Sequence, residues 1–567
     1  MRSARGLLVA LLLVGSAANP ETTSGNGTLL YNFSQRPRVN VADGDIRVTA
    51  EDATGAPPWG SSWLRVYVEN LGSRPERVEL EFAQLGSSSG AVRRVIEAQP
   101  GRTEQVTLII PSGLNYGALE VNARGIKEGG RAHISFARGT ALILAVGSDE
   151  AFKSFSGAEP DSSSYGVLVR TLPGDELPTE LAAYTGLNAV VVLTPIESLS
   201  EGPRRTLEAW TATGGTLVLT KPSRALAQHL PLLQTGDEGL HPYGFGHVRI
   251  CDGDAGGCVL PLATDLELAT SPVRPMGEMT GPIAYDESGN VVSASEWFLL
   301  PQGVAPVGRF MLIILAFTLA IGPGSVWVAK KKGPPMLLLT IPATAAVACL
   351  LIVGWSVLVD GFAVHTSMRG YTLLDRRNDR AITLGLEAFY ANLAPGRVAL
   401  DGDTALLAPT FPSHAVQVAS TDWTNGQMLE ADFLPSRTYR EWGTASVRPM
   451  RARVVVRNDG NAVVVENALG SDLRELWLRQ EGQTYVLRNV RDGARTPLPG
   501  EGEGTGMRVD TRAAPHRFDP RVPQRMLSEL KEGEFLARID GPGPLPFADL
   551  RLTHHSSEHL IRGEVDR

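Results

Sequence analysis

Three histidines near the end of the chain, His554, His555 and His559, with Glu558 among them, come closest to a chemical motif. On a helix, His555 and His559 would share one face, as zinc ligands must. Residues 550–553 alternate like a strand instead, so a solvated tail is the favoured reading. The three remain weak metal candidates, and no cofactor is expected. Gly86-Ser87-Ser88-Ser89-Gly90 fits the nucleophile-elbow pattern G-x-S-x-G, which needs a strand before it and a helix behind it. Here it joins two runs of β pattern and reads as a loop. Asp252-Gly253-Asp254 and Asp401-Gly402-Asp403 open like calcium loops but lack the later oxygen ligands and closing Glu, so they read as turns. No phosphate-binding loop, dinucleotide fingerprint or zinc-protease motif occurs, and no catalytic residue is assigned.

Two further groups bear on location. Cys251 and Cys258 bracket Asp-Gly-Asp-Ala-Gly-Gly, a hairpin tip. They would pair in an oxidising compartment and otherwise stand as two thiols. Cys349, the third cysteine, falls in an apolar run and reads as inert packing. Lys330, Lys331 and Lys332 are three of only seven lysines, against 46 arginines. They lie between two uncharged stretches: 310–329, twenty residues, and 336–359, twenty-four. At 1.5 Å rise per residue each would span about 30 Å, the thickness of a bilayer core. The short loop 330–335 makes the two helices antiparallel neighbours. The positive-inside rule keeps its lysines cytoplasmic and puts both flanks outside. Arg2 and Arg5, the apolar run 7–14 and Ser16-Ala17-Ala18 read as a signal peptide over 1–18. An uncleaved anchor is the alternative and leaves the topology unchanged. Trp327 and Trp355 sit near span ends as interfacial aromatics, and Pro323 and Pro342 are expected to kink their helices.

The bulk figures agree with a large exported chain. Its 567 residues allow several domains, and a net charge of −8 argues against nucleic acid. With 60 Gly and 38 Pro the chain is rich in turns.

Before the membrane signal, residues 26–138 alternate with period two. Leu64, Val66 and Val68 are one such set; Val78, Leu80 and Phe82 another; Val106, Leu108 and Ile110 a third. An immunoglobulin-like β-sandwich is expected. The pattern then changes to continuous apolar runs, 141–146, 189–193 and 217–219, with a helix expected over 199–212. Ser198 and Glu201 are placed as its capping box. Residues 140–262 therefore read as an α/β domain with a parallel sheet, followed by a linker over 263–306. After the spans, 365–567 read as a β-rich sandwich, with a helical segment near 381–393, strands at 453–456, 462–466, 473–478 and 484–487, a hairpin turn at Asn458-Asp459-Gly460-Asn461, a flexible loop over 500–506 and a short helix over 523–531.

Asn188-Ala-Val-Val-Val-Leu-Thr-Pro195, the helix ending Leu207-Glu-Ala-Trp210, Gly214-Gly215-Thr-Leu-Val-Leu219 and Tyr243-Gly-Phe-Gly-His-Val248 resemble class I glutamine amidotransferase-like domains. That family uses a Cys nucleophile on a tight strand-to-helix turn, paired with His. No Cys lies between Ala141 and Ile250, so the resemblance implies a fold and not an activity. The layout as a whole resembles a group of two-span bacterial envelope proteins of unknown function. The expectation is a multidomain membrane protein of the inner (plasma) membrane: non-enzymatic, an interaction scaffold or sensor, with envelope proteins and membrane lipid as partners. The strand C-termini of the α/β sheet are its expected binding edge. The alternatives are an envelope hydrolase with a nonstandard site and a subunit of an export or assembly complex.

Overall fold

The computed structural model describes residues 30–32 and 38–566, apart from 58, 85–89, 115, 138–140, 148–166, 222–225, 235, 252–283, 286–290, 293–298, 301–306, 356–362, 410–417, 460–461, 500–517, 540, 542, 545–546, 548–549 and 556. The signal-peptide segment, the Ser87–Ser89 loop, Asp252-Gly253-Asp254, Cys258 and the 500–506 loop fall outside these residues.

Residues 39–135 build two antiparallel sheets. One runs Thr103–Pro111, Ser61–Asn70, Ile46–Asp52, Val39–Gly44, Ile126–Gly129. The other begins Arg131–Ser135, Tyr116–Asn122, Glu76–Ala83, Ala91–Ala98. Alternation decides the core: Leu64, Val66 and Val68 of the first sheet and Val78, Leu80 and Phe82 of the second are all wholly buried in one cluster. The second sheet then continues with chain from beyond the helical hairpin. Thr421–Asp422 pairs in parallel with Ala91–Ala98, and Gln427–Leu429 and Val398–Leu400 extend the sheet beyond it. Trp423 N–H donates to the Arg93 carbonyl at 2.8 Å, and Ala91 N–H to Ser420 Oγ at 3.1 Å. Nothing in the sequence pattern announces this exchange.

A seven-stranded sheet comes next, in the order Leu30–Asn32, Val167–Leu172, Ala141–Val146, Ala189–Val192, Thr216–Leu219, Gly246–Ile250, Gly239–Tyr243. Only its last pair is antiparallel. Its central strands Ala141–Val146 and Ala189–Val192 are apolar throughout because both faces are covered. Leu30–Asn32 belongs to this sheet and not to the sandwich, where the sequence places it. The helix begins at Glu201, not at residue 199. Its N-cap is Ser200 and carries no side-chain cap bond, so the capping box does not form. Ser198 lies instead in the turn Ile196–Ser198, where its hydroxyl donates to the Pro195 carbonyl at 2.7 Å. Gly214-Gly215 ends the helix as expected. A side chain at Gly215 would meet the Trp210 ring at 2.4 Å.

The C-terminal region is dominated by a nine-stranded sheet. Its centre is the pair Val364–Asp375 and Arg380–Ala391, flanked by Tyr439–Pro449 on one side and Glu558–Glu564 on the other. Residues 381–391, expected to be helical, are therefore a strand. Ile382, Leu384, Leu386 and Ala388 do point one way, but Thr383, Gly385, Glu387 and Phe389 are buried on the other face. With both faces covered, no polar alternation survives to identify the strand, and pairing on two sides overrides local spacing. A three-stranded sheet, Arg453–Asp459, Ala462–Ala468 and Arg495–Pro497, packs Val454, Val456 and Val465 against Leu476, Phe535 and Ile561 of the long sheet. The short helix is Arg521–Leu527.

The sandwich, the parallel sheet and one face of the long sheet share a single apolar cluster, which contains Trp63, Leu144, Leu217, Leu384 and Ala445 together. Between the parallel sheet and the long sheet, in chain order, stands the helical hairpin. Its first arm is helical over Val307–Leu319, passes through a wide π turn at Ala320–Gly324 around Pro323, and resumes over Ser325–Lys332. Pro323 has no N–H to donate, and the widened turn accommodates its ring. The second arm is Leu337–Trp355, with Pro342 near its start. Among the described residues no helix is long and apolar enough to cross a membrane. The first arm is divided by its π turn. In the second, the side chains of residues 351–353 and 355 lie outside those described.

Candidate functional site

At the C-terminal ends of the parallel strands Ala189–Val192 and Thr216–Leu219, the hydroxyls of Thr194, Ser198 and Thr220 are tied to their own surroundings. Ser198 Oγ lies 3.1 Å from Thr194 Oγ1, and Thr220 Oγ1 donates to the Val192 carbonyl at 3.2 Å. The segments that follow the strands Ala141–Val146 and Thr216–Leu219, 148–166 and 222–225, lie outside the described residues, and so does the binding edge expected there.

The histidines form neither the weak metal cluster nor the solvated tail that the sequence favours, because Glu558–Glu564 is a strand paired on both sides within the long sheet. His554 ends the strand Leu552–His554, paired with Thr366, and is exposed. His555 turns to a residue that no local pattern links to it: its Nε2 lies 3.0 Å from His365 Nδ1. His559 belongs to the next strand and is wholly buried. Strand geometry sends these rings to different places, and among the described residues no three metal-ligating side chains converge. Asp401-Gly402-Asp403 is a turn, closed by Thr404 N–H to the Asp401 carbonyl at 3.0 Å.

His559 belongs to a polar strip inside the long sheet. Thr444, Gly385, Gly370 and His559 are in register across four neighbouring strands. Beside them Thr372 Oγ1 bonds both Thr383 Oγ1, at 2.8 Å, and His559 Nε2, at 2.7 Å. Thr444 donates to Glu387 Oε1 at 3.1 Å. The glycines are required: a Cβ at Gly370 would lie 2.3 Å from His559 Nδ1, and one at Gly385 would lie 2.6 Å from Thr444 Oγ1. Glu387 Oε2 and His559 Nδ1 have no hydrogen-bond partner among the described residues. Burial pushes the Glu387 carboxyl up to about 8, with the Thr444 bond opposing, and pushes the His559 imidazole down to about 3. Acid and imidazole are therefore both uncharged near neutral pH. Wholly enclosed, they are not placed to meet a substrate.

Ion pairs fasten the regions together. Arg65, buried in the sandwich, donates to Glu51 at 3.1 Å, to the Tyr67 hydroxyl at 3.1 Å, and to Glu176 of the parallel-sheet domain. Arg380 of the long sheet grips Glu208 of the helix Glu201–Ala212 with two bonds of 2.6 Å, and donates to Asp375 at 2.8 Å. Burial alone would lower the Arg380 pKa, but Glu208, Asp375 and Tyr243 together hold it above its ordinary value. Burial and then Glu208 raise the Tyr243 hydroxyl, and Arg380 opposes them.

The remaining surface of note is the hairpin. Leu312, Leu315 and Leu319 on the first arm and Leu338, Leu339 and Leu350 on the second are all exposed, Leu338 to 84%. Lys330, Lys331 and Lys332 close the first arm, and the Lys331 ammonium sits 4.0 Å over the exposed Trp327 ring. Cys349 is free and exposed among these residues and not packed inside. Cys251 is buried at the end of the strand Gly246–Ile250; its expected partner Cys258 lies outside the described residues.

No family model and no curated protein matches the chain. Solved structures give remote likenesses. The mu-homology domain of yeast delta-COP-I, complexed with a Dsl1 WxWxV peptide, aligns at 8% identity and TM-score 0.17 over 36% of this chain and 96% of that one. A Paenibacillus sp. cycloisomaltooligosaccharide glucanotransferase aligns at 15% identity and TM-score 0.12, over 28% of this chain and 20% of that one. A calcium-binding mutant of Bacteroides uniformis beta-glucuronidase 2 aligns at 10% identity and TM-score 0.16, over 82% and 60%. Superpositions this poor carry no argument about fold or function.

Proposed function

We propose that the chain is a membrane-anchored, non-enzymatic envelope protein, a scaffold or sensor whose soluble regions stand together on the outer face, held by the helical hairpin. The observation that carries the reading is the hairpin's exposed leucines. A soluble surface rarely leaves so large a contiguous apolar patch uncovered, whereas lipid would cover it. The lysine cluster at the tip and the cation over Trp327 suit a cytoplasmic headgroup region. Strand pairing gives independent support. Thr421–Asp422, after the hairpin, hydrogen-bonds with Ala91–Ala98, before it. Pairing between the two flanks suits an arrangement with both on one side, as an even number of crossings gives. The scaffold part rests on the missing nucleophile of the amidotransferase-like domain and on the ion pairs that lock the three regions into one body.

Accessibility labelling of single cysteines tests the topology, with Ser88→Cys, Gly333→Cys and Gly504→Cys in intact cells. Labelling at 88 and 504 with protection at 333 is expected. Labelling at 333 alone would invert the orientation, and release of the protein from membranes by alkaline carbonate would remove the anchor altogether.

A further inference from the structure

Between the parallel-sheet domain and the long sheet opens a cleft of about 400 Å³. One wall is Pro231–Gln234 and Gly244; the other comes from Leu373–Arg377, the end of the helix Arg521–Leu527 and the strand Glu558–Glu564. Arg562 builds this second wall. Its guanidinium donates to the carbonyls of Met526 at 3.0 Å, Ser528 at 2.7 Å and Glu529 at 3.0 Å, and to Glu534 at 2.5 Å. A cation placed on the last carbonyls of a helix stabilises that end and fixes the chain just beyond it. Arg562 therefore holds Arg525 and Lys531 at the rim, with Arg377 arriving from the turn after the strand Val364–Asp375.

Arg377, Arg525 and Lys531 are exposed and make no ion pair among the described residues; of the four acids on the lining, Asp375 and Glu534 are bound to Arg380 and Arg562, while Glu529 and Glu564 make no ion pair among the described residues. The lining carries five cations, Arg376, Arg377, Arg525, Lys531 and Arg562, against four acids, Asp375, Glu529, Glu534 and Glu564. His247, whose Nδ1 is buried without a partner among the described residues, is lowered by burial and then by Arg521 and Arg525, with Asp519 opposing. Like charges gathered at a cleft of ligand size are stabilised when an anion sits between them. Glu529 and Glu564, also on the lining, can accept from hydroxyl groups of the same molecule.

We propose that this interdomain cleft binds a small hydroxylated organic anion, a phosphate ester or a carboxylate, whose charged group is held by Arg377, Arg525 and Lys531. The site does not depend on where the hairpin lies. A ligand there touches both domains, so its binding would couple to their relative position.

The test is calorimetric titration of the full chain in detergent at low ionic strength, with glucose 6-phosphate and gluconate as separate probes. Saturable binding of at least one probe is expected, and which of them binds identifies the head group. Arg525→Gln and Lys531→Gln should each weaken it about tenfold, the loss of one charge-assisted bond. Both residues are exposed, so unchanged melting of the free variants will certify their folding. Absence of saturable binding by either probe up to about 10 mM, or full affinity in the Arg377→Gln, Arg525→Gln, Lys531→Gln triple variant, would overturn the assignment.

Discussion

The helical hairpin and the long C-terminal sheet depart from the usual distribution of residues in opposite directions. The hairpin turns Leu315, Leu338 and Leu339 outward, while the sheet encloses Glu387, His559 and three threonines. In the hairpin the disagreement is with water, and it disappears if the surroundings are lipid. In the sheet no change of surroundings helps. The polar groups are reconciled by one another, by the space that two paired glycines leave, and by protonation states that cancel charge. The exposed apolar surface thus calls for a partner outside the chain, whereas the buried polar strip carries its own.

That contrast can be sharpened at a site where buried charges are fully paired. Arg380→Ala leaves Glu208 and Asp375 enclosed without their cation and should cost about 3–5 kcal/mol. Urea unfolding would measure it, and a loss below about 1 kcal/mol would mean that the pair behaves as a surface one. On the hairpin, Leu350→Arg, nearer the middle of the second uncharged stretch, should cost about 2.5–3.5 kcal/mol of membrane insertion and raise the fraction released by alkaline carbonate. Equal retention would argue that this face meets protein or water and not lipid. In the strip, Gly370→Ala drives a methyl into the His559 ring and should cost about 1–3 kcal/mol, read as a lowered unfolding midpoint at constant slope.

The same strip predicts a pH profile. Glu387 is held at about 8, above its unfolded 4.5, so its contribution is complete below pH 4.5 and is lost as pH rises through 8. His559 is held at about 3, below its unfolded 6.5, so its contribution is complete above pH 6.5 and is lost as pH falls through 3. Between 4.5 and 6.5 the two slopes oppose each other and cancel. From 6.5 to 8 Glu387 alone should remove about 1.4 kcal/mol per pH unit. Glu387→Gln should flatten that alkaline limb relative to the parent, and an unchanged limb would mean the carboxyl is ionised in the folded protein. The smallest effect is expected at Leu71, an exposed leucine of the sandwich far from the hairpin in the chain. Leu71→Arg should change neither stability nor membrane retention by more than about 0.5 kcal/mol. A large effect there would mean that exposed leucines report something other than the hairpin's surroundings.

Period-two alternation placed the sandwich strands because polar residues alternate with the core positions, although along Ser61–Asn70 the polar Ser62 and Arg65 are buried as well. Continuous apolar runs placed the parallel sheet because both faces are covered. The uncharged stretches around Lys330–Lys332 placed the hairpin. Each of these signals is local, carried by the residues that form the element. What the sequence could not decide lies between distant segments. Residues 381–391 read as helical until strands on both sides claim them. His365 meets His555 across 190 positions. The strands Val398–Leu400, Thr421–Asp422 and Gln427–Leu429 complete a sheet begun before the hairpin. The cleft with Arg377, Arg525 and Lys531 is built from segments far apart in the chain, none of which has a motif. Local propensity is set by neighbours in the chain. Pairing, burial on both faces and the meeting of charges are set by the tertiary fold, which alone determines what stands opposite what.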